Sequence, residues 1–281
     1  MGFRSLHREP IPLPTSPLKG EELSDSLHLS SLKATSAPPP MPKLIWLFDL
    51  DNTLHDASHA IFPAINENMN VYIAKVLKEA GLEDTPEAAN AARILYWQRY
   101  GATLLGMVKH HKVSADEFLH EAHRFEKLAT MIRAERGLER LLKRLPGRKI
   151  LLTNAPRRYA HDVLRHLGLH KHFAQHVPIE AMRVHGHYRP KPSRSFLRKL
   201  LAQLGLPARR CILVEDTVET LKAAKSLGLR TAWVTQYLDF SSHSRQPSEV
   251  SAPVISAKRP IYVDVKVKSV RHLSQYLHRL R

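Results

Sequence analysis

Two carboxylates one residue apart, Asp49 and Asp51, close the apolar run Leu44-Ile45-Trp46-Leu47-Phe48. At neutral pH they repel each other unless a cation or a shared proton relieves them. The spacing therefore points to a metal-assisted or acid/base site. The plainer alternative is a solvated turn, since Asp, Asn and Thr all favour turns. Three further polar signals follow in order: Thr153-Asn154 after Ile150-Leu151-Leu152, Lys191 between Pro190 and Pro192, and Glu215-Asp216 after Cys211-Ile212-Leu213-Val214. Singly, each reads as a helix cap or a surface charge. All four at like positions in successive units are hard to explain as capping.

Their chemistry is mutually consistent. A carboxylate can attack phosphorus and form an acyl phosphate, splitting one displacement into two easier ones. A second carboxylate two residues on can protonate the leaving oxygen and then deprotonate the attacking water. Mg²⁺ takes oxygen ligands in near-octahedral geometry, commonly one or two carboxylates plus phosphate oxygens and waters, and Asp49 and Asp216 can supply these. Lys191 with the hydroxyl-plus-amide pair Thr153-Asn154 can hold the equatorial oxygens that carry transition-state charge.

Such groups need strands that deliver them to one edge. The first apolar run reads as a buried parallel strand. After it, residues 57–130 read as helical throughout, with Thr85-Pro86-Glu87 and Ser114-Ala115-Asp116-Glu117 as helix starts. Helices without strands between the first two strands suggest a separate small bundle. Beyond it the pattern alternates: helix 135–145, strand 149–154, helix 157–168, helix 193–204, strand 211–215, helix 217–227 and strand 230–234. A polar loop over 239–259, a strand at Ile261-Tyr262-Val263-Asp264-Val265 and an amphipathic helix 269–280 follow. The expected fold class is α/β, a doubly wound parallel sheet with an inserted α-helical domain. The domain boundaries read from this are a disordered extension over 1–41, a core over 42–56 and 131–281, and a helical segment over 57–130.

Asp49-Leu50-Asp51-Asn52-Thr53-Leu54, Leu152-Thr153-Asn154, Lys191-Pro192 and Val214-Glu215-Asp216-Thr217 resemble the four signature motifs of the haloacid dehalogenase superfamily. The match spans residues 44–235 in the expected order, and the helical insertion resembles that family's type 1 cap on a Rossmann-like core. The resemblance implies Asp49 as nucleophile and Asp51 as general acid/base, with the Asp51 backbone carbonyl reaching the metal. It implies Thr153, Asn154 and Lys191 as phosphate-binding residues, and Asp216 as a direct Mg²⁺ ligand beside Asp49 and Asp51. Glu215 would support the metal's water shell. Carbon–halogen-cleaving relatives lack the second aspartate and need no metal, so Asp51 favours a phosphatase. Mutases keep both acids, and the motifs do not exclude them.

The segments Phe48 to His55, Thr153-Asn154-Ala155-Pro156 and His185 to Pro192 are similar to the pyrimidine 5′-nucleotidase branch. That implies dephosphorylation of a nucleoside monophosphate, UMP or CMP. The alternative is a broad-specificity sugar-phosphate or phosphoglycolate phosphatase on the same core. His55, His59, Tyr96 and Trp97 are candidates for substrate contact, and the two aromatics could stack on a base. The commoner fate of such aromatics is to pack the helical core. His55 and His59 alone do not make a zinc site, because a third ligand is missing. Arg157 and Arg158, at a helix start after Asn154, either add positive potential near the phosphate or are solvated.

Composition bounds the rest. The chain has 281 residues, 43% of them hydrophobic, enough for a proper core. No run approaches the roughly 18 apolar residues of a membrane span. Cys211 is the one cysteine, so one chain forms no internal disulfide, in keeping with a reducing cytoplasm; it is expected to be a small buried hydrophobe. The net charge of +17 is uneven, with 25 Lys and Arg against 8 Asp and Glu in residues 146–281. A basic lobe attracts phosphorylated ligands, nucleic acid or acidic surfaces alike. A non-catalytic nucleic-acid-binding protein, the competing class, would lack the strand-end acids and show an aromatic-interleaved reading module. Neither is so. Residues 1–40 are rich in Ser, Pro and Leu without a period and carry no signal-peptide h-region. Translation is expected to start at Met41, and peptides from residues 1–40 in the native protein would refute this.

Overall fold

The computed structural model describes residues 44–205, 207–238 and 258–280. The expectations for residues 1–41, including the start at Met41, and for residues 239–257 of the polar loop expected over 239–259 lie outside them. The first strand, β1 (Ile45–Phe48), is buried along its whole length. Ile45 and Leu47 enter one apolar cluster, while Trp46 and Phe48 enter another on the opposite face. Successive side chains of a strand point to opposite faces, so a continuous apolar run is what a sheet covered on both sides requires.

Five helices come next: α1 (Ile61–Glu79), α2 (Pro86–Tyr100), α3 (Thr103–His111), α4 (Ala115–Ala122) and the short α5 (Leu128–Met131). Thr85 and Ser114 cap α2 and α4 as their sequence predicts, their hydroxyls accepting from the amides of Ala88 and Glu117. Ile61 and Ile65 at the start of α1 pack into the core of the sheet. Further along, Tyr72, Ile73, Val76 and Leu77 join Ala89, Leu104, Met107, Phe118, Leu119 and Ala122 in a cluster of the helices' own. Gly106 lets α3 approach α2 there, since an added Cβ would lie 2.2 Å from Tyr96 Cγ.

The chain then alternates through α6 (Leu138–Arg144), β2 (Arg148–Leu152), α7 (Arg157–His166), β3 (Gln175–Val177), the hairpin β4 (Arg183–Val184) and β5 (His187–Tyr188), and α8 (Arg194–Leu204). It ends with β6 (Cys211–Glu215), α9 (Val218–Lys225), β7 (Arg230–Val234), β8 (Val265–Val267), a 3₁₀ turn over Val270–Tyr276 and α10 (Leu277–Leu280). The main sheet has the order β3-β2-β1-β6-β7-β8, and every pairing is parallel. The order reverses around β1, so the crevice at the carboxyl ends of β1, β2 and β6 is where such a sheet binds ligands. Cys211 is fully buried. Among the described residues, no helix is long and apolar enough to cross a membrane.

Four features differ from expectation. The strand expected over Ile261–Val265 forms instead at Val265–Val267. Pro260 to Val263 is a turn closed by the Val263 amide on the Pro260 carbonyl, and Ile261 is 96% exposed. The Asp264 carboxylate accepts from the Thr231 amide, so pairing with β7 starts only after it. The amphipathic helix expected over 269–280 is a 3₁₀ turn followed by one α-turn. Val270, Leu273 and Tyr276 recur every third residue, the period of a 3₁₀ helix. Strand β3 and the β4–β5 hairpin were not expected. The hairpin's turn, His185-Gly186, has both residues at positive φ, 49° and 78°, the conformation of a two-residue turn that usually uses Asn-Gly.

Candidate active site

The end of β1 carries Asp49, whose amide still bonds across the sheet to the Val214 carbonyl. One helical turn follows at once: the Leu54 amide reaches the Leu50 carbonyl at 2.8 Å. Asn52 takes the left-handed conformation, φ 56°, which Asn tolerates better than most residues. Its side-chain oxygen accepts from the amides of Ala57 and Ser58, and its amide donates to the Ser58 hydroxyl. This staple holds the turn that carries both aspartates.

Lys191 reaches the same spot from the loop before α8. Its Nζ donates to Asp49 Oδ1 and to Glu215 Oε2, both at 2.6 Å. All three residues are buried. The other Asp49 oxygen accepts from the Thr53 hydroxyl at 3.1 Å. Glu215 Oε1 accepts from the Thr217 amide, and Asp216 accepts from the Thr217 hydroxyl. The Asp216 carbonyl is fixed by the Trp233 indole at 2.8 Å. Asp49, Glu215 and Asp216 each bring a carboxylate oxygen within 4.8 Å of the others.

Three acids thus face a single ammonium, and the electrostatics register it. Burial, then Glu215, push Asp49 up to about 7, against the pull of Lys191. Burial, Glu215 and Asp49 hold Asp216 well above the usual carboxylate range. Burial alone would lower the Lys191 ammonium, but Asp49 and Glu215 override it and raise its pKa. Clustered, dry, hard oxygen donors with uncompensated negative charge are the set a divalent cation such as Mg²⁺ takes. The residues fit that ion.

Asp51 lies apart from this cluster. Its Oδ1 accepts from the Tyr159 hydroxyl at 2.6 Å and from His55 Nε2 at 2.9 Å. Burial would raise its pKa, but the bonds from His55 and Tyr159 outweigh that and hold it low. Thr153, at the end of β2, is buried, with its amide on the Val177 carbonyl and its hydroxyl accepting from the Ala155 amide. The Asn154 side chain is spent on the loop of Lys191: its amide donates to the Lys191 carbonyl at 3.0 Å, and its oxygen accepts from the Lys191 amide at 2.9 Å. Asn154 thereby places the lysine, whose bond to Pro192 is cis.

The structure brings Asp49, Lys191, Glu215 and Asp216 into one cluster. Glu215 stands in it as a direct neighbour of Asp49 and Asp216. His55 is fully buried beneath Asp51, whereas His59 is exposed. Tyr96 packs within the helices, its hydroxyl 2.7 Å from His111 Nε2 and its ring stacked on His110. Trp97 is 46% exposed. The Arg157 amide donates to the Glu180 carboxylate. Tyr159 was not foreseen. It lies 108 residues from its partner Asp51, with no local pattern to mark it. Thr53 and Trp233, which hold Asp49 and Asp216, were also missed, although Thr53 lies within a motif singled out for its acids.

The family model for haloacid dehalogenase-like hydrolases matches residues 45–228. Among solved structures, a HAD phosphatase from Thermococcus onnurineus is similar over 84% of this chain and 97% of its own, with 16% identity and a TM-score of 0.54. CbbY from Rhodobacter sphaeroides, solved in complex with phosphate, is similar over 82% of this chain and 96% of its own, with 18% identity and a TM-score of 0.52. Both likenesses are of fold. With the motif order, the parallel sheet and a family match over well above half its length, this chain belongs to the haloacid dehalogenase-like hydrolases.

Proposed function

We propose that the protein is a Mg²⁺-dependent phosphomonoesterase working through an aspartyl-phosphate. The observation that carries this reading is the buried Asp49–Lys191–Glu215–Asp216 cluster with a second acid, Asp51, two residues from the first. An Asp49 oxygen attacks the phosphorus, and the bond to the ester oxygen breaks with its electron pair on that oxygen. Asp51 gives the leaving oxygen its proton. Asp51 then takes a proton from water as the water oxygen bonds to phosphorus; the bond to Asp49 breaks, and phosphate and the Asp49 carboxylate are released. Lys191 and the Thr153 hydroxyl hold the equatorial oxygens in this scheme, and Asn154 holds Lys191. Mg²⁺ would be held by Asp49, Asp216 and the Asp51 carbonyl, with Glu215 beside it, and when bound it supplies charge neutralisation for the phosphoryl oxygens.

In this reading residues 42–56 and 131–281 form the catalytic core, and residues 57–130 form a cap that selects substrate and excludes water. The lead substrate is a pyrimidine nucleoside monophosphate, UMP or CMP, on the likeness of the motif segments. A sugar-phosphate or phosphoglycolate phosphatase is the second reading. The engagement of Tyr96 within the helices favours it, because one of the two candidate stacking surfaces is already occupied. Phosphate release should be measured across nucleoside monophosphates, sugar phosphates and phosphoglycolate, with and without Mg²⁺. Preference for UMP and CMP is the expected result, and a flat profile selects the second reading. Asp49→Asn should abolish turnover while keeping the native circular dichroism; retained turnover would overturn the covalent route.

A further inference from the structure

Asp51 has two oxygens, and the structure treats them differently. Oδ1 accepts from both the Tyr159 hydroxyl at 2.6 Å and His55 Nε2 at 2.9 Å. Among the described residues, Oδ2 has no hydrogen-bond partner. A carboxylate oxygen only accepts, so the Tyr159 O–H donates and the His55 proton sits on Nε2. His55 and Tyr159 are 0% and 2% exposed, so no water competes for these bonds.

The phenol is wedged in place. Its ring packs against Phe125 at 5.8 Å and against His123 at 5.4 Å, and His123 is itself tied through Nδ1 to the Leu119 carbonyl. The imidazole is dearer to the fold. Its Nδ1 is buried and, among the described residues, without a partner, an unsatisfied polar atom of the kind native interiors rarely keep. A leucine in that space would leave nothing unpaired. What the imidazole adds is its bond to Asp51.

We propose that His55 and Tyr159 are positioning residues that anchor Asp51 Oδ1 and so assign Oδ2 as the oxygen through which the proton passes. This rests on the reading of Asp51 as the general acid/base. Both bonds to Oδ1 survive whether Oδ2 is protonated or bare, so the carboxyl group keeps one orientation through both half-reactions. In the first, the proton leaves Oδ2 for the departing ester oxygen as the P–O bond breaks. In the second, Oδ2 takes a proton from the water that attacks the aspartyl-phosphate. A carboxyl group without the anchor turns about its side-chain bonds and presents either oxygen or neither.

The test uses two esters that differ in their need for an acid. A primary alkyl phosphate has a poor leaving group that must be protonated; p-nitrophenyl phosphate releases a stabilised anion unaided. The kcat/KM value reports steps up to the first irreversible one, here departure of the leaving group. Wild type, Tyr159→Phe, His55→Leu and His55→Gln should be compared on p-nitrophenyl phosphate and on UMP or glucose 6-phosphate, whichever the wild type hydrolyses faster. General acid catalysis contributes about 10²–10⁴-fold. Tyr159→Phe and His55→Leu should therefore lower kcat/KM for the alkyl ester by about 10–100-fold, part of that contribution, and for the aryl ester by no more than about threefold. His55→Gln, whose amide N–H can replace that of Nε2, should recover most of the loss. The melting temperature of His55→Leu should match or exceed that of the wild type. Equal losses on both esters, or no loss on the alkyl ester in Tyr159→Phe, would overturn the assignment while leaving the phosphatase reading intact. A wild type that releases phosphate from neither ester would overturn both.

Discussion

Two cations in this molecule are each held by several oxygens, and the oxygens differ. At the sheet edge Lys191 lies between the carboxylates of Asp49 and Glu215. In the helical layer Arg93 of α2 donates to three side-chain amide oxygens, those of Asn70, Asn66 and Asn90, at 3.0, 3.0 and 2.8 Å. The two cations respond in opposite directions: the acids raise the pKa of Lys191, whereas burial lowers that of Arg93. The sheet edge concentrates charge and leaves part of it unbalanced, as a site for a cation and a phosphoryl group must. Arg93 there meets only neutral acceptors, so this cross-link depends little on pH or metal. Carboxylates gather around the cation where chemistry happens, and amide oxygens surround the cation that joins these helices.

The contrast can be broken most forcefully at Lys191. Lys191→Met leaves two buried carboxylates without their partner, and loss of one member of a buried pair costs about 3–5 kcal/mol. Denaturant unfolding should show a loss of that order together with loss of turnover; a variant of wild-type stability would put the charge balance elsewhere. Next comes pH. The folded chain holds Asp49 up near 7, while the unfolded carboxyl titrates at its usual 3.8. Between those values the native state keeps a proton that the unfolded state has released, so stability falls as pH rises through this window. Asp216 shifts in the same direction. Asp51, held low, contributes with the opposite sign, and its contribution is lost only in more acidic solution. Burial pushes His123 down to about 4, which adds the opposite trend below its usual 6.5, so the metal-free protein should melt at a lower temperature at pH about 8 than at pH about 6.5. Mg²⁺ should raise the melting temperature more at the higher pH, and equal Mg²⁺ shifts at both would contradict the cluster's role. The smallest effect sharpens the other side: Thr85→Ala removes the cap of α2 and should cost about 1 kcal/mol, equally at both pH values and with or without Mg²⁺.

The sequence made the sheet-edge residues legible because each follows an apolar strand, a pattern local in the chain. β1, β2, β6 and β7 could be read from their apolar runs alone. β3, Gln175-His176-Val177, could not, because a three-residue edge strand with one buried side chain carries no such run. β8 was misplaced by four residues because Ile261-Tyr262-Val263 looks like a strand, while Asp264 and the turn after Pro260 decide where pairing begins. At the site, the acids and Lys191 announced themselves by type and spacing. Tyr159 did not, since its link to Asp51 exists only once α7 has packed beside β1. His55 was seen, but with a different use: nothing in its neighbours tells that its ring turns inward toward Asp51 instead of outward.

Tyr188 and Ile179 belong to the strand-and-loop part of the chain, yet both are buried in the cluster formed by the helices. Tyr188 also reaches the Asp116 carboxylate on α4 with its hydroxyl, and the Arg183 guanidinium lies over its ring at 4.1 Å. Lys191 follows three residues later. The helices therefore grip the strap that carries the lysine, and a displacement of α4 pulls on it. Substitutions on the α4 surface, far in sequence from any acid, have a mechanical route to the ammonium between Asp49 and Glu215.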